Sequence, residues 1–283
     1  MPRFDYTAAV EELQHFRLTS ERQSERVAAL GARLIRDKQI SNLGDEETQN
    51  NPLVTVWPVY EQVTIAALDV GDLALADHCI DQLKTRFTEK SLRFRRLQGM
   101  RLEAEGKLGD AQAIYNSILQ EDETNMLASK RQIALLIARK KEHEAIDALT
   151  KYLDTYYDDH EAWLELCDLY LMHHSYDQAA FCCEELLLLQ PANHIFHLKY
   201  AELMYTMNNL PLALKQYCKV LELCTDHVRA LYGLRLCASK LLDDKDVNHA
   251  ADLHALATER LLKVNEKSKP EIRKVVQDYL ANY

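Results

Sequence analysis

Ala111, Ala145, Ala179 and Ala213 stand 34 residues apart, each inside a similar run: DAQAIY, EAIDAL, QAAFCC and LALKQY. Other places keep the same beat. One carries Leu119, Leu153, Leu187 and Leu221; another carries Tyr115, Leu149, Cys183 and Tyr217. A third holds Gly99, Ile133, Cys167 and Ala201, so the repeat containing Ile133 is the imperfect one. A period of this length means that one supersecondary unit is copied, and that each copy buries its apolar face only against its neighbours.

The clearest copy runs from His160 to Asn193 and fixes the kind of unit. Counting from His160, Trp163 falls at place 4, Leu166 at 7, Cys167 at 8, Tyr170 at 11, Ala179 at 20, Leu186 at 27 and Pro191 at 32. This order of large and small residues is that of a tetratricopeptide helix pair. A small residue at Ala179 lets the second helix approach the first closely, and Pro191 ends that second helix. Trp163 is expected as a buried joint, and Ser175 with Gln178 as a capping box. Upstream, Tyr60, Val63, Ala76, Ile80 and Leu83 fit after a one-residue shift. Downstream, Leu231 and Leu234 continue the pattern, but register is lost around 243–246, and Ala250 or Ala251 must serve as the small residue of a displaced second helix.

The fold expected is therefore all-α, a tetratricopeptide-repeat right-handed α-solenoid with helical caps at both ends. Residues 1–56 would hold two capping helices and a loop, 57–245 five to six helix pairs, and 246–283 the C-terminal capping helices. The N-terminal helices are marked by Phe4, Val10, Leu13 and Phe16, then by Val27, Leu30, Leu34 and Ile35, with Ser20 and Gln23 as a capping box. Residues 37–58 lack a helical period and read as a loop. A last helix over 269–282 would follow a Ser268–Glu271 capping box.

Composition agrees: only 7 Gly and 6 Pro in 283 residues leave little material for many turns. The net charge of -10 and pI near 5.6 disfavour a nucleic-acid surface. No leader pattern and no long uncharged apolar run is present, so the expectation is a soluble chain made in the cytosol. The seven cysteines lack the even spacing of a secreted disulfide framework, which points to reduced thiols. Cys167 and Cys183 fall on packing places.

Candidate chemistry is thin. His173 with His174, and His194 with His197, have spacings that could share a helix face, but they fall at a turn and at a repeat boundary without partner ligands. There is no phosphate loop, nucleophile elbow or metalloprotease motif. No catalytic residue, metal or cofactor is expected. A basic run, Lys84, Arg86, Lys90, Arg93, Arg95, Arg96 and Arg101, could be a solvated face or a dock for an acidic partner or lipid. An acidic set, Asp154, Asp158, Asp159, Glu161, Glu165 and Asp168, follows two repeats later, polarising the chain along its length.

In such superhelices the first helix of each pair lines a concave face. The inward places give Arg93, Arg96 and Met100; Leu127, Lys130 and Ile137; Leu164, Asp168 and Leu171; Ile195, Leu198 and Tyr205. This strip is more apolar than a solvated face and is expected to bind a protein partner. It is not the carboxylate clamp of co-chaperone repeats, because the clamp places hold Arg96, Met100, Arg131, Glu161 and Glu165.

Three stretches carry more than the generic repeat. YEQVTIAALDVGDLALADHCIDQL (60–83), LQGMRLEAEGKLGDAQAIYNSILQEDETN (97–125) and DHEAWLELCDLYLMHHSYDQAAFCCEELLLLQPANH (159–194) resemble the tetratricopeptide subunit of the endoplasmic reticulum membrane protein complex, over about residues 57–240. The resemblance implies a non-catalytic, peripheral scaffold on the cytoplasmic face of that membrane, within an insertase for tail-anchored and multi-pass proteins. It implies partners too: cytosolic parts of membrane-spanning subunits, and a soluble subunit of the inactive MPN fold. Membrane association would be indirect, with no nucleic acid. The alternatives are a general adaptor or co-chaperone taking a peptide or helix in its groove, and an enzyme domain built on a helical solenoid.

Overall fold

The computed structural model describes residues 5–37, 40, 56–242 and 249–282, and every regular element among them is a helix. The chain divides into two compact units, 1–140 and 141–283. The first holds α1 (Tyr6–Leu18), α2 (Ser24–Arg36), α3 (Val56–Val70), α4 (Leu73–Arg86), α5 (Leu92–Ala104), α6 (Leu108–Glu121) and α7 (Met126–Ala138). The second holds α8 (Glu142–Thr155), α9 (His160–Met172), α10 (Tyr176–Leu189), α11 (His194–Thr206), α12 (Leu210–Leu223), α13 (Val228–Lys240), α14 (Ala250–Val264) and α15 (Pro270–Asn282), with a short 3-10 turn, Asn265–Lys267, before the last.

The period in the sequence is a period of elements. First helices start at Leu92, Met126, His160, His194 and Val228, and second helices at Leu108, Glu142, Tyr176 and Leu210, each 34 residues after the one before. Ala111, Ala145, Ala179 and Ala213 are all completely buried, as close helix contact requires. Beyond the regular run, α13 packs on α14. Of the two small residues expected there, Ala250 is buried and Ala251 is exposed, while the fully enclosed small residue of α14 is Ala257.

Two kinds of joint connect the helices. Between repeats, a side chain caps the incoming helix: Asn125, Asp159 and His227 accept from the backbone N–H of Ala128, Ala162 and Ala230, and Asn193 accepts from Ile195, at 3.1–3.2 Å. Within a repeat, the turn needs a left-handed residue, at Gly106, Lys140, His174 and Asn208, again 34 apart. Glycine meets no steric cost in this conformation, asparagine and histidine adopt it more readily than most side chains, and lysine is strained in it.

The capping boxes read from the sequence do not form. Ser175 precedes α10 but its hydroxyl makes no capping bond. Ser20 is a left-handed turn residue and Gln23 is the residue before α2, so the motif lies too early. Ser268 stands two residues ahead of the first residue of α15. The loop expected over 37–58 ends earlier, because α3 begins at Val56 and carries Pro58 in its first turn, where a missing N–H costs nothing. Phe4, residues 41–55 and the slip at 243–246 lie outside the described residues.

Both ends are closed by helices. Leu13, Leu30, Leu34, Val59 and Val63 share one core, in which α2 meets α3 so closely that a β-carbon on Gly31 would lie 2.3 Å from Val63 Cγ2. At the other end Leu231, Leu261 and Leu280 pack together. Arg235, 3% exposed, crosses this core; its guanidinium donates to Thr258 Oγ1 at 3.1 Å and to the Leu280 carbonyl at 2.9 Å. That carbonyl lies in the last turn of α15, where no helical donor reaches it and a cation is favoured.

Candidate partner-binding site

The twelve residues predicted to line one strip have different fates. In the first unit Arg93 and Arg96 both engage the buried Glu61, Arg96 at 3.0 Å, and with Leu127 they border a groove of about 380 Å³. Met100 does not reach this surface; it is buried against Leu97 and Phe94. Leu127 is half exposed, while Lys130 and Ile137 are partly covered. In the second unit Leu164 and Leu171 are partly covered, and Asp168 accepts a hydrogen bond from Lys199. Leu198 is buried, Ile195 is exposed, and the Tyr205 ring lies under the Lys240 ammonium at 4.4 Å. The exposed apolar strip expected from the helix places is therefore interrupted at Met100 and Leu198 by core packing.

A second concavity was not anticipated. It lies on another stripe of α9, about 130° round the helix from Leu164, Asp168 and Leu171. Its volume is about 660 Å³. Leu153 of α8, Leu166 of α9 and Cys182 of α10 form its buried floor, and Tyr157, Trp163, Tyr170 and Phe181 its aromatic walls. Trp163 is thus not the buried joint expected of it: the indole is only partly covered, its Nε1–H donating to the Tyr157 carbonyl at 2.8 Å. Phe181, 54% exposed, meets it edge to face at 6.0 Å between centroids. Asp154, Asp177 and Glu185 stand round the rim, and among the described residues no Lys or Arg pairs with any of them. The signal for this groove was an aromatic at place 22, Phe181, on a helix face that has no neighbour to bury it.

The basic run is largely neutralised in place. Lys84 pairs with Glu89, Arg95 with Glu121, and Arg101 with both Asp77 and Glu105, besides the two arginines on Glu61. A dock for acidic partners or lipid would need these cations free. Of the acidic set, Asp159 caps α9 and also accepts from the Tyr152 hydroxyl at 2.7 Å.

The histidines and cysteines are placed by packing. His197 is buried rather than solvated, with Nε2 donating to the Pro191 carbonyl at 2.9 Å and Nδ1 2.8 Å from Gln216 Oε1. His173 stacks on His143 at 4.8 Å. Cys167 and Cys183 lie in the α9–α10 contact, Sγ to Sγ 3.5 Å. The Cys183 thiol as donor favours a thiolate on Cys167, lowering its pKa and raising that of Cys183. Among the described residues no three His, Cys, Asp or Glu side chains gather as a metal site would require, and no helix is long and apolar enough to cross a membrane.

Comparison with known proteins gives one consistent answer. Residues 87–216 match the family model described as the EMC2 TPR-like repeat domain. The chain is 40% identical over 227 residues to ER membrane protein complex subunit 2-A of Xenopus laevis, covering 79% of this chain and 73% of that protein. It is 38% identical over 218 residues to TPR repeat protein oca3 of Schizosaccharomyces pombe, covering 75% and 74%. Among solved structures, the C-terminal part of a TPR repeat-containing protein from Cytophaga hutchinsonii superposes with TM-score 0.57 at 16% identity, over 95% of this chain and 98% of that one. The pilF protein of Pseudomonas aeruginosa gives 0.53 at 19%, over 80% and 97%. These two share the repeat fold.

Proposed function

Because the chain belongs to the family of subunit 2 of the ER membrane protein complex, we propose that it is a non-catalytic scaffold on the cytoplasmic face of the endoplasmic reticulum. There it holds cytosolic parts of membrane-spanning subunits, and a soluble MPN-fold subunit, in an assembly that inserts transmembrane segments. The observation that carries the reading is the reach of the likeness: it extends over 79% of the chain, along the repeat helices themselves rather than over one short motif. Large apolar side chains left in the open on several of these helices, among them Leu127, Phe181, Leu188 and Ile195, are what partner-covered surfaces expose when alone.

On this reading the chain stays at the membrane through buried apolar contacts, which salt does not screen, rather than through lipid headgroups, which it does. The test is purification of the tagged chain from detergent extract at high salt. A fixed set of membrane-spanning subunits should accompany it, and depletion of those subunits should release it from membranes. Recovery of chaperones in their place would make it a general adaptor. Salt-sensitive binding to protein-free anionic vesicles would make it a lipid-bound protein.

A further inference from the structure

We propose that the groove over α9 docks a short amphipathic protein segment, which sets a bulky apolar side chain against Trp163 and Phe181 and aims flanking Lys or Arg side chains at Asp154, Asp177 and Glu185. The inference rests on the assembly reading and adds the chemistry of one partner segment. Its basis is a conjunction found at this place: exposed aromatic rings over a buried apolar floor, ringed by carboxylates that lack cations. Several surface carboxylates elsewhere are by contrast engaged, Asp77 by Arg101, Asp168 by Lys199 and Glu202 by Arg229. The rim charge turns away nucleic acid and anionic lipid, and favours a basic segment both on approach and once bound. The space, about 660 Å³, exceeds one side chain and suits two or three from one helical face. A guanidinium at the edge would also lie within reach of the ring faces of Tyr157 and Trp163, where cations are attracted.

The test uses the full chain and a labelled fourteen-residue peptide with Leu and Phe on one helical face and Lys and Arg elsewhere, beside a counterpart carrying Glu for every Lys and Arg. At physiological salt the basic peptide should bind and the acidic one should not. Reversal of the rim, Asp154→Lys with Asp177→Lys and Glu185→Lys, should weaken binding roughly tenfold, the combined effect of three exposed ion pairs. Phe181→Ser should weaken it as well. Reversal of three exposed carboxylates outside the groove, Glu11→Lys, Asp81→Lys and Glu123→Lys, should leave binding within about twofold, since distant charges are screened. Should the rim triple variant lose its helical signal, Asp177→Lys alone carries the comparison. Equal loss in the distant triple variant, equal binding of the acidic peptide, or no binding to the wild-type chain overturns the proposal. If the wild-type chain still recovers its membrane-spanning subunits, the assembly reading stands although this one fails; if it recovers none, the assembly reading itself has failed.

Discussion

The ring of Tyr115 fills the place where a side chain on Gly99 would begin: a β-carbon there would lie 2.5 Å from Cε1. α5 and α6 therefore touch backbone to ring, and the fully buried tyrosine secures its hydroxyl by donating to Glu103, which also takes Arg131 at 3.3 Å. Gly99→Ala should cost about 1–3 kcal/mol by overpacking a site whose neighbour cannot withdraw. Urea denaturation checks this, and Tyr115→Leu in the same chain should return part of the loss, a coupling that a double-mutant cycle measures.

Trp163 and Phe181 separate core from surface. Trp163→Ala should destabilise by about 2 kcal/mol, less than the roughly 3–5 of an enclosed ring, because part of the indole already faces water. Phe181→Ala should cost under about 1 kcal/mol. Thermal melts of the two variants give the order. Equal losses would mean that the groove is closed in solution.

His174 holds a left-handed backbone, φ 57°, at the turn where the equivalent residue two repeats earlier is Gly106. A β-carbon in this conformation costs roughly 1–2 kcal/mol. Removing it also frees the unfolded chain, and the side chain gives up its contact with the Tyr176 hydroxyl at 3.1 Å. His174→Gly should still raise stability, by about 0.5 kcal/mol net. A lowered melting temperature would show that the histidine contributes more than its backbone costs.

Arg235→Met should loosen the end of the chain first. The Leu280 carbonyl and Thr258 hydroxyl lose a charged donor, an effect of about 1.5–3 kcal/mol. It should appear as faster amide exchange in α15 while α9 to α12 keep their protection. Uniform acceleration along the chain would contradict a local role.

Acid should find the Asp77–Arg101 pair. The guanidinium donates to both carboxylate oxygens, at 2.5 and 2.9 Å, and holds Asp77 below the usual carboxylate range. A folded pKa below the unfolded one contributes stability above about pH 4 that is lost as pH falls through the folded value. Asp77→Asn should therefore flatten the decline of stability with pH below about 4. As the carboxylate is 53% exposed, the difference should be a fraction of a kcal/mol.

The helix pairs were legible because their signal is redundant: Ala111, Ala145, Ala179 and Ala213 all mark one buried place, and one faulty copy at Ile133 does not erase it. Helix ends were less legible. Ser175 and Gln178 have the letters of a capping box, yet the tight turn through His174 supplies the geometry, and the true caps are Asn125, Asp159, Asn193 and His227 at the other joint. Exposure was least legible. Place 9 counts as inward for Met100 and Asp168 alike, but one is core and the other holds Lys199. Whether an inward side chain meets water depends on its neighbours' volumes, which a periodicity does not encode. The groove at Trp163 escaped because a tryptophan at a consensus place reads as core, while its distinguishing partner, Phe181, sits on a face the repeat leaves unspecified.

The two kinds of joint also decide where this chain can be lengthened. The turns α5–α6, α9–α10 and α11–α12 each span three residues, pinned by one left-handed backbone, so an added residue would swing the second helix off its mate. The connections at Asn125, Asp159, Asn193 and His227 are held by one side-chain cap and span four residues, but the one from α4 to α5 spans five and has no such cap. That is where the period slips by one, between Ala76 and Ala111. Growth and loss of single residues are thus absorbed at the seams between units, which gives a repeat array a safe place for length variation and for grafting a tag or sensor loop.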